Sequence, residues 1–171
     1  PPEYVPIAEQ CRQKYLVHLP GIWPSHSNKL KQLLACGAVV IMPQNNWYEW
    51  WHQLLQPFVH FVPTKNLAST QGRDLPSVLR CLRLHPREAM IIANNARIFV
   101  RDVLSLDLHE RYLRLLIEHF RAAMVAGGSA NHTQSPVHDP LTQRLRSALG
   151  ETGRAVGRVS PRAKQRISPV G

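Results

Sequence analysis

Three short apolar runs, "KYLVHL" at 14–19, "AVVIM" at 38–42 and "VHFVP" at 59–63, are separated by stretches with helical spacing. This alternation narrows the folds open to the chain more than any other feature. Between the first two runs, "NKLKQLLAC" at 28–36 sets Leu30, Leu33 and Leu34 on one helical face; between the second and third, "NWYEWWHQLL" at 46–55 reads as an aromatic-rich helix. Strand, helix, strand, helix, strand implies parallel pairing with crossover helices, so the predicted fold is α/β with a Rossmann-like parallel sheet. Pro63 is expected to end the third strand. Further helices follow: one over 74–85 with Asp74 as N-cap and Pro76 in its first turn, one opening on Pro86, and one beginning near Asp107.

The dense apolar periodicity stops near residue 126. Beyond it "GGSANHTQSPVHDP" begins a stretch rich in Gly, Ser, Pro and Arg, which has too few large side chains to offset the entropy of ordering. The expected organisation is one domain over 1–126 and a basic, mostly disordered tail over 127–171, with a short helix at Leu141 to Leu149. The formal charge of +10 invites a nucleic-acid reading, but its distribution argues against one. The tail holds seven basic residues against Asp139 and Glu151, and the remaining excess is spread over helices with no interleaved aromatic platform for base stacking. No apolar run of about eighteen residues is present to span a bilayer. The chain opens on Pro1, Pro2, Glu3 and Tyr4, with neither a starting Met nor a signal pattern, and reads as the C-terminal piece of a longer protein.

In open parallel sheets ligands bind beyond the carboxyl ends of the strands, which directs attention to the loop leaving the first strand. There Gly21 allows a close turn, Ser25 and Ser27 offer hydroxyls, and Lys29 adds a positive charge at the mouth of a helix, a pattern suited to phosphate. The same residues also fit a capped helix with Ser27 or Asn28 as N-cap and Lys29 in solvent. Among the aromatics, Trp47, Trp50 and Trp51 suit either stacking or packing, with packing expected for two of them. His18 and His60 end or interrupt apolar strands, and His60 reads as a buried, hydrogen-bonded histidine. Cys81 reads as a buried thiol, and no Cys or His spacing suggests a metal site.

The residues Cys11, Lys14-Tyr15, Gly21, Ser27-Asn28-Lys29, Cys36-Gly37, Val39-Val40, Glu49 and the run from Leu55 to Pro63, "LQPFVHFVP", together resemble the C-terminal half of the protein O-glucosyltransferase family, which includes capsule-associated xylosyltransferases. The later "AMIIANNARIFVRDVL" is similar to a family helix, with Ala96 where the family has Gly; the likeness covers about residues 7 to 120. It implies a GT-B architecture, with this chain as the donor-binding half. It also implies a UDP-glucose or UDP-xylose donor held between Gly21 and Lys29, with Ser27 and Lys29 on the diphosphate and transfer to a protein or glycan hydroxyl. No separate cofactor is called for, and without an Asp-x-Asp pair neither is a metal. Glu49 is either a ribose contact or a surface carboxylate.

Three departures accompany the likeness. Lys29 replaces the family's usual Arg, exchanging a bidentate fork for a point charge. The loop is about two residues longer than in animal members, and the family's catalytic base lies in an N-terminal domain outside this chain. A catalytically inactive relative serving as a binding or scaffold module is therefore the alternative reading. Animal members bridge the cysteines matching Cys11 and Cys36, which implies a disulfide here and a secretory lumen, endoplasmic reticulum or Golgi, in keeping with the sequon Asn131-His132-Thr133. Two buried thiols in a cytosolic domain are the alternative.

Overall fold

The computed structural model describes residues 5–19, 28–43, 49–65, 73–125 and 147. Their helices and strands are α1 (Ile7–Gln10), β1 (Tyr15–Val17), α2 (Leu30–Ala35), β2 (Val39–Pro43), a 3-10 helix (Trp50–Leu54), β3 (Val62–Thr64), α3 (Leu75–Leu84), α4 (Pro86–Val103) and α5 (Leu106–Val125). The strands form a three-stranded sheet in the order β1-β2-β3. Both pairings are parallel: Tyr15, Leu16 and Val17 lie opposite Val39, Val40 and Ile41, and Ile41, Met42 and Pro43 opposite Val62, Pro63 and Thr64. The small parallel α/β architecture is the one that the strand-helix alternation implies.

β2 is central and its apolar run is sealed: Val40 and Ile41 are fully buried and Val39 almost so. Val39 and Ile41 join Val62 in a cluster with Val78 and Leu82 of α3 and Ala89, Ile92 and Ala93 of α4. α2 packs against β2 with Leu30, Leu33 and Leu34 buried. A side chain of this size contributes about 1.5–3 kcal/mol when fully buried, so the cluster outweighs any single polar contact in the sheet.

Several element boundaries differ from expectation for identifiable reasons. α2 is six residues long, and its N-cap position is Lys29, already in helical geometry and without a side-chain cap; Asn28 does not fill that position, and Ser27 lies outside the described residues. Of the aromatic helix expected over 46–55, residues 46–48 lie outside the described residues, and the rest is 3-10 winding from Trp50 to Leu54, with Leu55 already extended. Pro57 follows closely, and a residue preceding proline avoids helical geometry. Pro63 lies inside β3 and does not end it, because β3 is an edge strand, where a missing N–H is tolerated. Val59 and His60 belong instead to a turn in which both their N–H groups donate to the Gln56 carbonyl, and Phe58 takes φ of 59°. Cys81 lies outside any disulfide and is half-buried.

The chain divides into two compact units between Val100 and Arg101, within α4. In the second unit, α5 is entered through Ser105, whose carbonyl accepts the N–H of His109 and whose hydroxyl accepts that of Leu108 at 3.4 Å, two residues ahead of the expected Asp107. The expected tail over 127–171, its helix at 141–149 and Asn131 lie outside the described residues, Ser147 excepted.

The amino end of the sheet is closed covalently. Cys11, at the C-cap of α1, is bonded to Cys36, at the C-cap of α2, across 25 residues of sequence, with Cα atoms 4.9 Å apart. Gly37 follows at φ 73°, the left-handed geometry that turns the end of α2 into β2. A Cβ built there would meet nothing nearer than Arg97 Cδ at 3.9 Å, so a substitution would act through the backbone alone. Gly37→Ala is therefore expected to lower stability by about 1–2 kcal/mol, as measured by urea denaturation. Reducing the Cys11–Cys36 bond should cost roughly 3 kcal/mol by loop entropy. Non-reducing peptide mapping should recover Cys11 and Cys36 in one linked peptide; alkylation of both without reductant would contradict the bond.

Candidate functional site at the carboxyl edge

The three strands present their carboxyl ends on one edge of the sheet. His18 leaves β1, and its N–H donates to the Ile41 carbonyl at 2.9 Å, which extends the pairing one residue past the strand. Although it sits at an edge, His18 is only 3% exposed. Burial lowers its pKa to about 4, and the neighbouring His52 and Lys29 push in the same direction. The neutral imidazole is thus the form this environment favours. Its Nδ1 atom is buried and has no hydrogen-bond partner among the described residues. Lys29, at the entry of α2, is exposed.

The 3-10 helix is held by reciprocal capping at its start. The Glu49 carboxylate accepts the backbone N–H of His52, while the Glu49 N–H donates to His52 Nδ1 at 3.2 Å. Glu49 Oε2 also accepts the indole N–H of Trp51 at 3.0 Å. Because His52 Nδ1 is an acceptor, the neutral ring carries its proton on Nε2. Trp51 is buried, edge-on to His52 at 4.1 Å and 6.3 Å from Phe99. Trp51 therefore packs in the core, and Trp50 is half-buried.

At the end of β3, Asp74 acts differently from the expected cap. It occupies the N-cap position of α3, yet its side chain makes no capping bond to the helix. Its Oδ2 instead accepts from the Thr64 hydroxyl and from the Lys65 N–H, the latter at 2.8 Å, tying the third strand's end to the next helix. Ahead of this strand, on its amino side, buried His60 accepts the Gln56 N–H on Nδ1 at 3.0 Å and lies tilted 4.9 Å from Phe99. Desolvation lowers its pKa to about 4.

Of the residues nominated from sequence, Asn28, Lys29 and Glu49 are described, and Cys11 and Cys36 are joined at the far end of the sheet. Gly21, Ser25, Ser27 and Trp47 lie outside the described residues. His52 was not nominated: Glu49 and His52 have the spacing of a capping box but not its residue types, so no local pattern marked the pair. The Thr64–Asp74 tie joins residues ten apart and has no local signature. A separate groove of about 560 Å³ lies at the amino edge, lined by Lys14, Tyr15, Cys36, Gly37, Asn94 and Arg97 among others. None of the nominated donor residues lines it. Among the described residues, no three His, Cys, Asp or Glu side chains converge to hold a metal, and no helix is long and apolar enough to cross a membrane.

Comparison with known proteins agrees with the family suggested by the motifs. The model of glycosyl transferase family 90 matches residues 2–138, and the chain belongs to that family. It is 30% identical over 116 residues to the O-glucosyltransferase rumi of Drosophila pseudoobscura pseudoobscura, covering 68% of this chain and 27% of the relative. It is 28% identical over 141 residues to protein O-glucosyltransferase 1 of Homo sapiens, covering 82% of this chain and 33% of the relative. The chain thus spans about a quarter to a third of the length of these relatives.

The two buried histidines carry a pH signature. Each has a folded pKa of about 4 against an ordinary 6.5, so between those values the unfolded chain binds protons that the folded chain excludes. Their contribution to stability is complete above about pH 6.5 and is lost as pH falls toward 4. Denaturation midpoints should decline over that window, and the His18 and His60 ring resonances should titrate near its acid end by NMR.

Proposed function

We propose that this chain is the C-terminal, donor-binding half of a GT-B enzyme that moves glucose or xylose from a UDP-sugar to a protein or glycan hydroxyl. The observation that carries the reading is the position of Lys29, at the mouth of α2 and near enough to the end of β1 for its charge to act on His18. The family match and relatives named O-glucosyltransferases support the sugar chemistry.

In such a transfer the bond between the anomeric carbon and the diphosphate oxygen breaks, and negative charge collects on the departing UDP. A fixed cation beside the diphosphate stabilises that charge as it forms. Lys29 supplies it in this reading, with Gly21 giving the close turn and Ser25, Ser27 and Asn28 donating hydrogen bonds. Glu49 is the ribose contact, its carboxylate held in one orientation by the Trp51 indole and the His52 backbone. No catalytic base is assigned within the chain.

We further place the protein in the secretory lumen, endoplasmic reticulum or Golgi. The Cys11–Cys36 bond supports this, since structural disulfides persist in oxidising compartments. Asn131 is the proposed glycan acceptor within a dispensable tail over 127–171.

Calorimetric titration of the chain with UDP tests the donor site. Lys29→Ala should weaken binding by about 1–3 kcal/mol, the scale of a lost charge-assisted contact. Equal affinity in both proteins would remove Lys29 from the site.

A further inference from the structure

His18 and His60 are both buried histidines, at 3% and 7% exposure, and they differ in one respect. His60 Nδ1 accepts a backbone N–H at 3.0 Å, whereas His18 Nδ1 has no hydrogen-bond partner among the described residues. Buried polar atoms are nearly always paired, and one that is not costs free energy until something pairs it. Such an atom in an otherwise well-packed sheet is a mark of function when it stands where ligands bind. His18 stands at the carboxyl end of β1, where parallel sheets take ligands, and its backbone is pinned by the bond to Ile41. Lys29 lies close enough to act on it electrostatically, so the surroundings favour an anion.

We propose that His18 is a donor-binding residue whose Nδ1–H donates a hydrogen bond to a diphosphate oxygen of the bound nucleotide, an inference resting on the donor-site reading above. A neutral imidazole suits this role. It donates without adding a buried cation beside Lys29, and the tautomer with hydrogen on Nδ1 is the one that a phosphate oxygen selects. Lys29 provides charge, and His18 provides direction.

The test uses the 171-residue chain, UDP, and two variants. His18→Leu removes the polar atom at similar volume. His18→Asn keeps a donor near the position of Nδ1. Calorimetry should find UDP binding about tenfold weaker in His18→Leu, the effect of losing one charge-assisted hydrogen bond, and close to wild type in His18→Asn. Thermal unfolding without ligand should move the other way, with His18→Leu melting several degrees higher because the unpaired atom is gone.

Unchanged UDP affinity in His18→Leu would overturn the inference while leaving the donor site standing. A His18→Leu variant that loses both affinity and melting temperature would also overturn it, since that pattern belongs to a structural histidine. So would a His18→Asn variant that binds no better than His18→Leu. Failure of the wild-type chain to bind UDP would overturn the donor reading itself, and this inference with it.

Discussion

β2 is hydrogen-bonded along both edges and buried at Val39, Val40 and Ile41, and the placement of the groups described at the two ends of the sheet follows from that strand. Its alternation sends Val39 and Ile41 into the cluster with α3 and α4, while Val40 points to the opposite face. A one-residue slip would exchange those faces, so burial specifies the register strongly. With the register set, the ends of β1 and β3 are set too. His18 and Lys29 arrive on one side of β2, and Thr64, Lys65 and Asp74 on the other.

The two ends of the sheet divide their tasks. The amino end is closed by a covalent bond between Cys11 and Cys36 and by the left-handed turn at Gly37, features that limit the chain's freedom there. The carboxyl end is built from hydrogen bonds and short polar connections: the Glu49–His52 capping pair and the Asp74 tie. Constraint at one end and polar groups at the other is the arrangement expected of a parallel sheet whose chemistry lies beyond its strand tips. Membership in glycosyl transferase family 90 gives that arrangement a chemical context in sugar transfer.

Polar groups at the carboxyl edge are mostly used to hold one another in place. The Glu49 carboxylate fixes the Trp51 indole and the start of the 3-10 helix, and Asp74 joins β3 to α3 across ten residues. On the amino side of β3, His60 likewise closes its own turn and rests against Phe99. Set against these bonds, the buried Nδ1 atom of His18 meets no hydrogen-bond partner among the described residues, and the buried Nε2 atom of His52 shares that state, which comes from their neighbours and not from residue type.

The sequence by itself determined the parallel α/β class, the family, and the buried face of α2, because these rest on periodicity and on motif order that survive without knowing contacts. Leu30, Leu33 and Leu34 were legible as one apolar stripe, and Val39 to Ile41 as a buried strand. Only the tertiary structure decided that Pro63 lies within β3, since tolerance of proline depends on being at a sheet edge. It decided that Asp74 reaches back to Thr64 and Lys65 and leaves α3 uncapped by its side chain, since the nearer partner depends on where β3 ends. It also decided which of two buried histidines is paired. Local sequence records that a residue is polar or apolar; whether a buried polar atom meets its partner is a property of distances between segments, and those exist only once the chain has folded.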